Sequence, residues 1–186
     1  MDHSPLLLAL FEQRTEDAAE LLAARGDDLN ALEAAATGRA DVLARRLDAD
    51  RAAVLAARTP EGFDAIGLAA FLGGPEVVSL LLRHGADPEG DPNNTLGVRP
   101  VHAAAAARDA MAMRRLLEAG ADPDSPQRGG ITPLHAAAMH DDTETARALL
   151  DHGADPGRRA DDGRDALAFA SEGGAEATLA LLRAAV

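Results

Sequence analysis

Gly130-Ile131-Thr132-Pro133-Leu134-His135-Ala136-Ala137-Ala138, followed by Thr145 to Leu150 and then His152-Gly153-Ala154-Asp155, decides the reading of this chain. Thr132 suits a helix cap, because its hydroxyl oxygen can accept from a first-turn amide, and Pro133 suits the first helical position, where its missing N–H is not needed. The Leu149-Leu150 pair closes the buried side of a second helix. Gly153 stands where a helix end takes a left-handed residue at no steric cost. Asp155-Pro156 then forces extended chain, since the residue before a proline is pushed out of the helical region. The stretch predicts a turn, a short helix, a second turn and a longer helix.

The same unit recurs on both sides. Gly-Ala-Asp occurs at Gly85-Ala86-Asp87, Gly120-Ala121-Asp122 and Gly153-Ala154-Asp155, each followed by proline (Pro88, Pro123, Pro156) and each preceded by a Leu-Leu pair (Leu81-Leu82, Leu116-Leu117, Leu149-Leu150). A second series, Gly62, Gly97, Gly130 and Gly163, marks tight turns, and a third, Ile66, Val101, Leu134 and Leu167, follows it. The last two steps of these series are 33 residues and the one before is 35, so two residues are inserted between Asp87 and Arg99. A fixed period of this length is the mark of a repeat architecture, in which no unit can bury its apolar face alone and neighbours stack to make one core.

These residues resemble the ankyrin repeat. The unit from Gly130 carries the family's Thr-Pro-Leu-His-x-Ala-Ala helix start and its Leu-Leu-x-x-Gly-Ala-Asp ending. The unit from Gly97 keeps Pro100, His102 and Ala104 but has Arg99 in the threonine position; the unit from Gly62 lacks both Pro and His; the last has Ala168 in the histidine position. The resemblance implies an all-α solenoid of stacked antiparallel helix pairs with hairpin-like turns. It divides the chain into a capping helix pair over 1–28, a divergent repeat over 29–58, repeats over 59–90, 91–125 (with the insertion) and 126–158, and a C-terminal capping repeat over 159–186. Glu12, Gln13, Glu16, Asp17 and Glu20 give the first pair a polar face. The last helix, 176–186, has only Glu176, Thr178 and Arg183 as hydrophilic residues, and is expected to fray or to pack on a neighbour. Residues 48–61 read as a lengthened connection in which Arg51 to Arg58 can add a helical turn.

Composition agrees with thin stacked layers. Apolar residues make up 47% of the 186, yet there is no Trp, no Tyr and only four Phe, so alanine and leucine must build the core. The charge is −13, from 31 acids against 18 bases, all arginine, which repels phosphate backbones and argues against broad nucleic-acid binding. With no cysteine there is no disulfide, thiolate zinc site or thiol chemistry. The run Leu6 to Phe11 has no basic residue before it and makes a poor secretory signal, and no apolar stretch reaches the roughly 20 residues of a membrane span. A cytoplasmic protein is expected.

Chemistry-bearing constellations are absent from the pattern. None of Ser4, Ser79, Ser125 and Ser171 lies in a Gly-x-Ser-x-Gly elbow, no phosphate loop occurs, and the histidines lack zinc-hydrolase spacing, so no enzyme activity, catalytic set, cofactor or metal is expected. The resemblance gives His102 and His135 the part of struts bonding turn backbone; a stacked imidazole pair holding a metal is the competing reading. Asp87, Asp122 and Asp155 fall in separate turns and read as turn caps rather than a calcium cage.

What remains is a recognition surface for another protein. In the resembling family, partners dock on hairpin tips and the exposed side of the short helices. Carried over by position, the candidate contacts are Phe63, Phe71, Leu72, Leu96, Val98, Arg128, Ile131, Met139, His140, Arg164 and Glu172. Phe63, Phe71, Leu72, Leu96, Val98, Ile131 and Met139 are apolar where solvent is expected, and an apolar stripe of this kind marks a docking surface or fills space between layers. Acidity favours a partner with a basic rim around an apolar anchor. The tip Pro92-Asn93-Asn94-Thr95-Leu96 is a further candidate. A monomer is expected, with self-association through the weakly polar last helix or the stripe as the alternative.

Overall fold

The computed structural model describes residues 4–91, 93–94 and 97–185. Its helices are α1 Pro5–Phe11, α2 Thr15–Arg25, α3 Ala31–Ala36, α4 Ala40–Ala56, α5 Ala65–Leu68 with a π-helical continuation Ala69–Gly73, α6 Pro75–Arg83, α7 Pro100–Ala107, α8 Ala110–Glu118, α9 Pro133–Met139, α10 Thr143–Asp151, α11 Ala166–Gly173 and α12 Glu176–Ala185. Odd-numbered helices are short and form an inner row, each packed on the next; α4, α6, α8, α10 and α12 form an outer row in the same way, and α2 rests on α1. Among the described residues the one β pairing is an isolated bridge between Arg58 and Asp64. The fold is an all-α solenoid.

Local sequence explains each start. Inner helices open on Ser4, Asn30, Asp64, Arg99, Thr132 and Asp165, all in extended backbone, and Asn30, Asp64 and Asp165 accept from a first-turn amide at 2.8–2.9 Å. Proline fills the first position of α1, α6, α7 and α9. The glycines of Gly-Ala-Asp take positive φ (85°, 100° and 88° at Gly85, Gly120 and Gly153), as the pattern predicts.

Two rows of identical side chains hold the layers together. Ala9, Ala35, Ala69, Ala104, Ala137 and Ala170 occupy the fifth position of the six inner helices and each is 0% exposed. A methyl group there lets helix axes approach closely, since interaxial distance follows the size of the contact residues. Leu81, Leu116, Leu149 and Leu182, also 0% exposed, run down the outer row. The alanine row extends into α1 and α3, where the sequence signature has faded, so the divergent pairs share the stacking register of the others.

Carboxylates add a second kind of link. Asp64 accepts from the Asp91 amide at 2.9 Å, Glu89 from the Asp122 amide at 2.6 Å, and Asp124 from the Asp155 amide at 3.0 Å, each reaching from one loop to the next. At the N-terminal end Glu33, 1% exposed, joins three helices: it accepts from Ser4 Oγ at 2.5 Å, from the Asn30 amide at 2.9 Å and from Arg25 Nη2 at 2.8 Å.

Two expectations change in detail. The helical turn expected after Arg51 is present, but it continues α4 instead of standing in a connection: α4 kinks at Asp50 (φ −154°, ψ 84°), whose side chain caps the second helical segment by accepting from Ala53 N, and helix runs to Ala56. Thr178 belongs inside rather than on the surface of α12; it is 0% exposed and its amide donates to Asp141 Oδ1 at 2.8 Å. With Leu182 also buried, α12 packs against α10 and α11, the second of the two outcomes expected for it. Glu12, Gln13, Glu16, Asp17 and Glu20 all face solvent.

Candidate docking site

Each of the last four inner helices is flanked by two residues at matching register, one at the hairpin before it and one at its exposed end: Phe63 and Phe71, Val98 and Ala106, Ile131 and Met139, Arg164 and Glu172. Hairpin residues and helix ends thus form two walls, and the inner helices form the floor between them. In the middle of the stack this makes a trough of about 390 Å³, with Phe63, Phe71, Val98 and Met139 at its sides and Leu68, Ala103 and Ala136 beneath. Phe71 is 39% exposed and Met139 50%, high values for large apolar side chains. His140 lines it too.

Phe11 also lines the trough, a residue the sequence reading did not select. Its ring centre lies 6.1 Å from that of Phe63. Beyond it a cleft of about 220 Å³ continues over Leu7 and Leu8 of α1 against Thr59 and Pro60. A signal was available: Phe11 follows the first-position proline Pro5 by the same interval as Met139 follows Pro133.

The opposite end is closed. Arg164 Nη1 bonds Glu172 Oε2 at 2.6 Å across the two walls, Arg164 also pairs with Asp162 at 2.7 Å, and its guanidinium carbon sits 4.2 Å from the centre of the Phe169 ring. Arg164 and Glu172, selected as separate contacts, instead satisfy each other. Both remain substantially exposed, so in a double-mutant cycle between Arg164→Ala and Glu172→Ala the two urea-unfolding effects are expected to add, with no coupling beyond experimental error.

Other selected residues fall elsewhere. Leu72 does not reach the trough; it lies in a separate cleft with Leu6, Leu10, Leu22 and Ala36. Ile131 is half-buried and packs on the core, and Arg128 is exposed on its hairpin. Leu96 lies outside the described residues, as do Pro92 and Thr95. Of the insertion, Asn94 is buried: its Nδ2 donates to Asp91 O at 3.0 Å and Val98 O at 2.6 Å, and its Oδ1 accepts from Val98 N at 2.9 Å, so it braces the loop.

The motif histidines serve the scaffold. His102 Nδ1 accepts from the Arg99 amide at 3.2 Å and Nε2 donates to Ser125 O at 2.8 Å, which fixes a neutral tautomer spanning a turn. His135 Nδ1 accepts from the Thr132 amide at 3.1 Å, and its ring meets Phe169 edge-on at 5.1 Å. Burial lowers both, His102 to about 4. Because the native value lies below the usual 6.5, the folded state binds fewer protons than the unfolded chain, and this stabilisation is complete above pH 6.5 and lost as pH falls toward 4. For His102 the loss between pH 7.5 and pH 5 is expected to be about 2 kcal/mol. Urea unfolding at the two pH values checks it, and in His102→Gln that part of the pH dependence disappears.

Asp87, Asp122 and Asp155 each cap their own turn, accepting from the amide two residues on at 3.0, 2.9 and 2.8 Å. Among the described residues no three His, Asp or Glu side chains are grouped to hold a metal ion, and no helix is long and apolar enough to cross a membrane.

Comparison with known proteins places these features. A family model described as three copies of the ankyrin repeat matches residues 101–185, and one described as a single ankyrin repeat matches residues 61–94. No curated protein matches the chain.

Proposed function

The chain belongs to the ankyrin-repeat family, whose repeats are generally protein–protein interaction modules, and from that premise we propose that it holds another protein in the apolar trough and performs no chemistry of its own. The observation carrying this reading is the convergence of Phe11, Phe63, Phe71 and Met139 on one open surface. Three of the four phenylalanines of the whole chain stand there, two of them among its few exposed large apolar side chains. Leaving such groups in water forgoes roughly 25 cal/mol per Å² of apolar area, which a docked partner recovers. The floor is rigid, because the alanine row beneath it is fully buried, so little ordering is lost on binding. The closed end at Arg164 and Glu172 limits the occupant to the layers from α1 to α9.

Affinity capture with the parent and with Phe71→Asp tests the proposal. A carboxylate introduced at the centre of the trough is expected to lower retention of a trough-bound partner by at least about tenfold, the scale of a central contact residue. Identical sets of retained proteins from the two would remove this surface from consideration. If the retained species is the chain itself, and light scattering shows mass rising with concentration, the trough is a self-association face.

A further inference from the structure

Among the described residues five large apolar side chains are exposed: Leu8, Phe11, Phe71, Met111 and Met139. Four of the five line two adjoining hollows: Phe71 and Met139 the trough, Leu8 the cleft over α1, and Phe11 both. The hollows share Phe11 and Phe63, whose ring centres are 6.1 Å apart, so one apolar surface is divided by an aromatic pair into seats of about 390 and 220 Å³. Two of the four exposed side chains come from α1, which carries no repeat signature. Apart from His140, at the end of α9 with Asp141 next to it, the lining offers no charge without a partner. Arg99 pairs with Glu89, both ring nitrogens of His102 are bonded, and Glu61 already has a partner. Gln127 is half-buried in the trough wall, and its carboxamide makes no hydrogen bond among the described residues.

We propose that the docking surface runs from the trough onto α1 and takes an uncharged peptide segment of the partner with two large apolar side chains. One is seated against Phe71 and Met139, the other against Leu8 beyond the Phe11–Phe63 pair. This rests on the docking reading above and specifies its occupant. A charged side chain in either seat would give up its hydration with no opposite charge to meet it, and burying a charge unpaired is costly. The carboxamide of Gln127 supplies a donor and an acceptor that a peptide group can bond and an acyl chain would leave unused. The net charge of −13 acts at another range. Charges more than about 8 Å away are largely screened at physiological ionic strength, so the acids of the outer helices steer basic residues flanking the segment but do not reach the seats. The divergent first pair is then part of the binding site as well as a cap.

The probe is a random twelve-residue peptide display library, selected on the full chain at 0.15 M salt and counter-screened on Phe71→Asp. Clones lost on the counter-screen are expected to carry two large apolar residues with no acid or base between them. They are expected to bind Leu8→Asp at least about tenfold more weakly than the parent. Leu8→Ala, which shortens the second seat without adding charge or breaking the helix, is expected to weaken them about threefold or more. Met111→Asp is the control: Met111 is as exposed as Met139 but lies on α8, outside both hollows, and the clones should bind this variant as they bind the parent. Trough-dependent clones that bind both Leu8 variants unchanged, or that carry a charge between their apolar residues, would overturn the proposed occupant and leave docking in the trough standing. Equal loss on Met111→Asp would overturn it too, since added charge would then be acting from a distance. Clones that bind Phe71→Asp as well as the parent, or no enrichment at all, would overturn the docking reading and the extended site with it.

Discussion

Gly73→Ala is expected to detach the first two helix pairs from the rest of the stack. A Cβ on Gly73 would lie 1.9 Å from the Ala35 carbonyl oxygen and 3.1 Å from its carbon, both main-chain atoms that no side-chain rotation can move aside. The backbone conformation of Gly73 is ordinary, so the effect is steric alone. The π-helical turn of the third pair must approach the end of α3 this closely for Ala35 and Ala69 to remain in their row. Forced overpacking costs typically 1–3 kcal/mol and more against rigid backbone, and here a loss of about 3 kcal/mol at the interface between α3 and the third pair is expected. In a stack whose stability is a sum over neighbours, the loss is local. Hydrogen exchange is therefore the measurement: amides of α1 to α4 should exchange faster while those of α8 to α12 keep their protection. Unchanged exchange in α3 and α4 would show that the layers part without cost. Gly173, at the end of the sixth inner helix, would bring its Cβ only to 3.3 Å from Met139 O, so Gly173→Ala is expected to cost far less.

Glu33→Ala should produce the next largest effect. Removing the carboxylate leaves the Asn30 amide without its partner and takes away the acceptor of both Ser4 and Arg25. Breaking a fully buried ion pair costs about 3–5 kcal/mol, but Arg25 is 39% exposed and regains water, so about 2–3 kcal/mol is expected. Glu33→Gln keeps an oxygen for the Asn30 amide and loses the charge attraction, and should fall between parent and Glu33→Ala. Limited proteolysis after α2 reads the difference, with cleavage accelerated most in the alanine variant. Equal rates in all three would mean that the N-terminal pair is held by its apolar contacts, Leu6 and Ala9 foremost.

The fold was largely legible because its punctuation is chemical. Gly-Ala-Asp-Pro, the Leu-Leu pair and the proline at the helix start each force a local conformation, and their recurrence sets the register without reference to any core. Where punctuation is sparse, the register is harder to project: α1 and α3 share the buried alanine position without Gly-Ala-Asp or Leu-Leu marks, and the one cue to Phe11, its interval from Pro5, stands alone. The candidate site was legible only as positions. Phe63, Phe71, Val98, Met139 and His140 come together because register alone decides which way they face. Leu72 does not; it is taken up by the side chains of α1 and α2, Leu6, Leu10 and Leu22, whose place beside it no local pattern announces. Arg164 and Glu172 show the other limit: position identified both, but their mutual pairing is a property of two side chains meeting across space.

The loop carboxylates bear on how far the facing loops may vary. Asp64, Glu89 and Asp124 reach forward to a main-chain N–H rather than to a matching side chain, and every residue except proline offers one. The side chain at the receiving position is therefore free to change without loosening the clasp. Only a proline there, or loss of the acid itself, would open it, and Gly157, which stands after Asp155-Pro156 as Glu89 stands after Asp87-Pro88, has no acid to offer.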